Sequence, residues 1–164
     1  SGGEEMDFLF GGAYADLLSG GANRDVLRGN DGADTLSGDA GDDLIIGGAG
    51  ADHLTGGSGK DRFVFSSLDE GGDVIADFVV ANDTIVLSGE LAASLPNGLV
   101  DGFNLNISEN PQALLPSASL TYDSNSGILS YDADGGGDND PVVLATLLGS
   151  PVLTLDHFEI SNDF

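Results

Sequence analysis

The sequence predicts an all-β fold: short parallel strands stacked into a roll, followed by a β-rich cap. Three observations predict it. A nine-residue period fills residues 1–64, one large apolar residue recurs at a fixed phase of that period, and beyond Phe63 the chain changes to ordinary strand-like runs bounded by polar residues.

Glycine stands at Gly2, Gly11, Gly20, Gly29, Gly38, Gly47 and Gly56. Five positions on comes an aspartate: Asp7, Asp16, Asp25, Asp34, Asp43, Asp52 and Asp61. Two further on comes Leu9, Leu18, Leu27, Leu36, Ile45, Leu54 or Phe63. A flexible Gly/Asp-rich linker has no reason to hold a bulky apolar side chain at one phase of nine. Each unit therefore divides into a polar turn of about six residues and a strand piece of about three, covering about 10 Å. Such a piece is too short to stand alone and must stack on its neighbours. Two units make one coil of strand, turn, opposing strand and turn. Odd and even units then build two facing sheets, with the apolar column between them and a spacing of about 4.8 Å per added strand.

The units Gly47-Gly48-Ala49-Gly50-Ala51-Asp52-His53-Leu54-Thr55 and Gly56-Gly57-Ser58-Gly59-Lys60-Asp61-Arg62-Phe63-Val64 fit Gly-Gly-x-Gly-x-Asp-x-U-x at every position, with U a large apolar residue. Residues 2–64 thus resemble the repeats-in-toxin (RTX), or hemolysin-type, calcium-binding nonapeptide family. The resemblance implies a right-handed parallel β-roll over 1–64. It also implies a Ca2+ ion between turns i and i+2, held by the aspartates of both. Seven turns allow at most five such ions.

Elementary electrostatics supports that implication. Stacked aspartates about 4.8 Å apart repel one another, and a small core offsets this poorly. A hard divalent cation reverses the sign, and calcium accepts six to eight carboxylate and carbonyl oxygens in flexible geometry. Magnesium demands a tighter octahedron, and zinc prefers nitrogen and sulfur ligands that these turns lack. The expected metal turns combine the seven aspartates with the glycines at first and fourth positions, Gly29, Gly32, Gly38, Gly41, Gly47, Gly50, Gly56 and Gly59. In the first three units Glu5, Tyr14 and Asn23 replace the fourth-position glycine. Asn tolerates the left-handed region better than Tyr or Glu. Asn30 and Asp39 replace the second glycine and are tolerable there. Sites pairing Asp34 with Asp52 and Asp43 with Asp61 are accordingly expected to be the best formed. Those using Asp25 come next, and those using Asp7 or Asp16 last.

A roll needs its open end covered, so residues 65–164 are expected to form a β-rich cap. Strands are expected at Arg62–Phe65, Asp73–Phe78, Asp83–Leu87 and Val142–Leu148. A hairpin is expected from Leu120–Tyr122 and Ile128–Tyr131, and a helical turn or two from Gly89 to Leu95, ended by Pro96. Asp61–Ser66, Gly72–Leu87, Leu120–Gly135 and Ala145–Phe158 resemble the C-terminal region of serralysin-type proteases and other RTX proteins. That resemblance implies β-structure packed on the roll and a C-terminal signal for a type I secretion system. Ser1 stands directly before the first unit, so the chain is expected to be part of a larger exported protein. Asp132 to Asp140 reads either as a solvated loop or as an extra calcium site; Val143 stands where an EF-hand loop would place its bidentate Glu.

Composition narrows the function classes. With 28 acidic and 4 basic residues the net charge is −24, which argues against nucleic acid or an anionic membrane surface as partner. The chain has no cysteine, so disulfides and zinc-thiolate sites are excluded. Its longest apolar stretch, Val142 to Leu155, contains Gly149 and Pro151 and is too short to span a bilayer. Glu4, Glu5 and Asp7 stand where a signal peptide would be basic. His53 and His157 belong to no metalloprotease or nucleophile motif, and no enzyme activity is expected. Arg24, Arg28, Lys60 and Arg62 all lie in the roll, where partial charge relief on its outer face would account for them. The expected function is calcium-coupled folding of a secreted protein. The alternative is an accessory module directing a parent enzyme or adhesin to polysaccharide or a cell surface, although no aromatic platform stands out.

Overall fold

The computed structural model describes residues 1–68, 70–89, 91, 105–108, 119–132, 140–161 and 163. Each repeat unit contributes one strand: β1 Phe8–Gly12, β2 Leu17–Ala22, β3 Val26–Asp31, β4 Thr35–Ala40, β5 Leu44–Ala49, β6 His53–Ser58 and β7 Arg62–Phe65. Odd and even strands separate into two sheets with parallel pairing, in a register of eighteen residues through β7. Leu9 aligns with Leu27, then Ile45 and Phe63; Leu18 aligns with Leu36 and Leu54. Leu27, Leu36, Ile45, Leu54 and Phe63 have no exposed surface, so the repeated apolar position is the core of a two-sheet parallel roll.

Most roll strands run to five or six residues rather than about three. Main-chain pairing continues into the first glycines of the next turn, as in Gly12↔Asn30 and Gly21↔Asp39. A residue without a Cβ lets neighbouring backbones approach there, so the ladder outlasts the apolar segment.

Both sheets carry on past the repeats. β8 Asp73–Ile75 adds to β6, and β9 Thr84–Ser88 adds to β7. The even sheet continues through β13 Val142–Leu147, β12 Ile128–Asp132, β11 Ser119–Asp123 and β10 Leu105–Ser108, to eight strands. The odd sheet ends with β14 Phe158–Ser161, giving six. The expected hairpin is present as the antiparallel pair β11–β12. Its turn is fixed by Asp123, which accepts the Asn125 amide and the Ser126 hydroxyl. One apolar cluster joins the roll column to Phe65, Ile75, Leu87, Tyr122, Leu129, Leu144 and Leu147.

Strand β8 stops at Ile75, short of the expected Phe78. The reason is Asp77, whose two carboxylate oxygens accept the Gly56 and Gly57 amides at 2.8 Å each and pull the chain out of the sheet. Of the expected helical turn at Gly89 to Leu95, all but Gly89 and Leu91 lie outside the described residues, as do 133–139 of the acidic loop.

Candidate metal centre in the turns

The aspartates form two columns, one along each edge of the roll. Asp7, Asp25, Asp43 and Asp61 lie on one edge; Asp16, Asp34 and Asp52 lie on the other. Within a column each aspartate uses Oδ1 to accept the backbone N–H of the aspartate eighteen residues earlier. Asp25 thus serves Asp7, Asp34 serves Asp16, and Asp43 serves Asp25, each at 2.7 Å. Asp52 serves Asp34 at 2.7 Å and Asp61 serves Asp43 at 3.0 Å. One carboxylate oxygen therefore holds two rungs together, and the other is left over.

That second oxygen, Oδ2, is buried without a hydrogen-bond partner in Asp25, Asp34, Asp43, Asp52 and Asp61. Five buried carboxylate oxygens without a donor are costly unless they are protonated or meet a cation. Each points into the space over the first glycine of its own unit. A Cβ built on Gly29 would strike both the Asp34 carboxylate and the Gly47 carbonyl, and one on Gly38 would strike the Asp43 carboxylate and the Gly56 carbonyl. At Gly11 the same two oxygen types, Gly29 O and Asp16 Oδ2, lie 2.7 and 2.9 Å from the Cβ position. The first-position glycine thus keeps open a cradle between a carboxylate oxygen and a main-chain carbonyl. Fourth-position Gly32, Gly41, Gly50 and Gly59 take φ of +143, +154, +135 and +144°, a region L side chains rarely enter.

These donors fit a hard, oxygen-seeking cation. They offer carboxylates and carbonyls, with no nitrogen or sulfur ligand beside them. Among the described residues no three acidic or imidazole side chains converge on one point, so any ion held here would draw part of its shell from the main chain. His53 is exposed on the outer face of the even sheet, and His157 hydrogen-bonds the Val80 carbonyl through Nε2 at 3.1 Å.

The electrostatics follow from burial. Desolvation pushes Asp43 and Asp61 up to about 6; the amides they accept oppose the rise and neighbouring carboxylates add to it. Asp52 is raised for the same leading reason. Asp39, exposed at the second position of its unit, is lowered by the Ser37 and Ser19 hydroxyls. Asn23, Asn30 and Asp39 adopt φ of +73, +77 and +72°, so residue types that tolerate the left-handed region stand where glycine is missing. Tyr14 and Glu5 have not adopted it.

Two acids outside the repeat join the columns and were not read from the period, and a third lies near one of them. Asp73 accepts the Asp52 amide at 3.0 Å, and Asp83 accepts the Asp61 amide at 3.1 Å. Each continues its column by one rung. Asp73 Oδ2 lies 3.1 Å from the Cβ position of Gly47, the space that Asp52 Oδ2 also faces. Glu70 is buried within electrostatic reach of Asp73 and Asp52 and accepts the Ser66 amide. Burial pushes Asp73 up to about 8 and Glu70 up to about 7. A sequence signal for the first two exists. Asp73-Val74-Ile75 and Asp83-Thr84-Ile85 keep the Asp-x-apolar spacing of the repeats, displaced from the nine-residue register by the longer loops before them.

Two facing parallel sheets with carboxylate-and-glycine turns along both edges define a β-roll built around acidic turns. The family described as RTX calcium-binding nonapeptide repeat (4 copies) matches residues 1–36 and 28–63. The structure is similar to the solution structure of the AlgE6R3 subunit from the Azotobacter vinelandii mannuronan C5-epimerase. The TM-score is 0.57 at 28% identity, over 90% of this chain and 79% of that one. It shares its fold with the AlgE6R2 subunit of the same epimerase, with a TM-score of 0.56 at 24% identity, over 92% of this chain and 90% of that one. No curated protein sequence matches the chain. No helix among the described residues is long and apolar enough to cross a membrane.

Proposed function

We propose that calcium ions lie between successive turns on each edge of the roll and that their binding is coupled to its folding. The observation that carries this reading is the set of five buried, unpartnered Oδ2 atoms. Asp34 with Asp52, and Asp43 with Asp61, would supply the strongest sites, Asp25 an intermediate one, and Asp7 and Asp16 the weakest. Main-chain carbonyls of the glycine turns would complete the shells. At free calcium ten times Kd each ion adds about 1.4 kcal/mol, so five would add roughly 7 kcal/mol, comparable to the stability of an ordinary domain.

In this reading the chain is the non-catalytic part of a larger secreted protein. Residues 1–64 stay unfolded at the low calcium of the cytosol and fold outside the cell, favouring one-way export. Residues 65–164 cap the roll and carry the signal for type I secretion. Circular dichroism during a calcium titration of chelator-treated protein tests the coupling. A large gain of β signal is expected, and an unchanged spectrum defeats the reading.

A second reading is an accessory module that holds a parent enzyme to a polysaccharide. It is favoured by the likeness to a subunit of a mannuronan epimerase and by two exposed phenylalanines, Phe8 and Phe10, side by side on β1. A glycan array probed in calcium tests it, with reproducible sugar binding as the supporting result.

A further inference from the structure

The odd sheet is largely apolar on both faces, although the core takes up one of them. Leu27, Ile45, Phe63 and Ile85 point into the roll, so by strand alternation their neighbours point outward. The outward columns read Phe8–Val26–Leu44–Arg62 and Phe10–Arg28–Ile46. The corresponding columns of the even sheet read Leu17–Thr35–His53 and Ser19–Ser37–Thr55, as suits a face in water. Toward the cap the odd outer face is closed: Ile46, Val64 and Val86 form a second buried cluster, with Leu44 packed against it. At the other end it is open, with Phe8 63% and Phe10 62% exposed and Met6 lining the same depression. The two rings alone leave roughly 250 Å² of apolar surface in water, a patch size that marks an interaction site. Parallel sheets apolar on both faces are ordinarily covered on both.

Charge says what can cover this face. All four bases of the chain line two depressions that meet at Arg24. One, of about 320 Å³, holds Arg24, Lys60 and Arg62; the other, of about 680 Å³, holds Arg24 and Arg28. Four carboxylates line the same depressions, those of Asp42, Asp61, Glu159 and Asp163. The face is therefore neutral, and the whole net charge of −24 lies elsewhere, with no base beside it. Two copies that meet through any other surface bring acid against acid, which disfavours the encounter. Calcium in the turns lessens that surplus without adding a base. Arg62 is engaged by Glu159 at 2.7 Å, whereas Arg24, Arg28 and Lys60 make no ion pair among the described residues. An apolar centre whose rim carries both signs can complement a copy of itself, as a two-fold contact requires.

We infer that the outer face of the odd sheet is a self-association surface, on which a second copy of this chain docks about a two-fold axis. The two odd sheets stack face to face, about 10 Å apart. Phe8 and Phe10 of each copy enter the larger depression of the other, over Val26 and Leu44. Arg24 and Lys60 of each copy meet Asp42 and Asp163 of the other across the seam. The open apolar surface falls well short of the roughly 800 Å² per partner that a tight dimer buries, so the pair is reversible, with Kd near about 100 μM. Because β1 opens the roll, pairing also covers its most exposed rung.

Sedimentation equilibrium of the full chain in calcium, from about 5 μM to about 1 mM, tests this. The mean mass is expected to climb from monomer toward dimer with concentration. Phe8→Ser with Phe10→Ser should weaken pairing about tenfold or more while circular dichroism in calcium stays unchanged. Arg24→Glu with Lys60→Glu should abolish self-pairing. Mixing that variant with one carrying Asp42→Lys and Asp163→Lys should restore a mixed pair, which a folding defect could not do. His53→Asn, on the outer face of the even sheet, should leave the dimer as it was. A chain that stays monomeric across the whole range overturns the inference. So does a dimer indifferent to both the ring and the charge variants, since its contact would then lie on another face.

Discussion

The first coil of the roll and the coils after it carry the same Gly and Asp positions but make different turns. Asp7 and Asp16 are half-buried, whereas Asp25, Asp34, Asp43, Asp52 and Asp61 are at most 2% exposed. Side chain and solvent account for the contrast. An aspartate in mid-column has a rung before it to receive its Oδ1 and a rung after it to cover its Oδ2. Asp7 and Asp16 open their columns and have no preceding amide to serve. What buries a turn's carboxylate is thus its place in a stack as much as its own nine residues.

The largest expected effect is on that stack as a whole. Chelating calcium should remove most of the roll's β signal in circular dichroism, a change worth roughly 7 kcal/mol if five sites are occupied at ten times Kd. Next come single changes in mid-column. Gly29→Ala should cost about 1–3 kcal/mol in thermal or denaturant unfolding, since its Cβ meets a carboxylate and a carbonyl at once. Asp43→Ala should cost a similar amount in calcium, because the buried Asp25 amide loses its acceptor. It should also raise the calcium midpoint.

Acidity should act in the opposite sense to chelation. Asp43 and Asp61 at about 6 and Asp73 at about 8 are raised above the ordinary 3.8, so the folded chain binds protons more tightly than the unfolded one. Their contribution to stability is complete below about 4 and is lost as pH rises through 6 and 8. Chelated protein moved from pH 7.5 to pH 5 should therefore recover β signal; a further loss would break the comparison. The smallest effect belongs to the first rung. Asp7→Asn should change stability by no more than about 0.5 kcal/mol in the same unfolding assay. A shift as large as that of Asp43→Ala would erase the distinction between opening and interior rungs.

The roll was legible in the sequence because its contacts repeat. An apolar residue at every ninth position fixes the core column, and alternation of units fixes which strands pair. The backbone at the fourth position was legible in part, since Asn23 takes a positive φ and Tyr14 and Glu5 do not. The cap was legible only in pieces. Its strands showed as apolar runs, but their partners did not, because β13 joins β8 across some seventy residues and β14 joins β9 across about as many. Asp73 and Asp83 escaped notice because loops of unequal length had shifted them off the period. Exposure escaped as well. Phe8 and Phe10 flank an inward Leu9, and only the pairing of β1 with β3 puts them beside Arg28 on an open face.

The eighteen-residue register limits how such a chain can change in length. Gain or loss of one nine-residue unit would transfer every later strand to the opposite sheet. Arg62 would then leave the face that carries Arg28, and Asp73 would inherit the wrong column. Gain or loss of two units returns each residue to its own side and merely lengthens or shortens the molecule by one coil. Viable insertions and deletions in the repeat region should therefore come in steps of eighteen residues, so that two nonapeptides are the true heritable quantum.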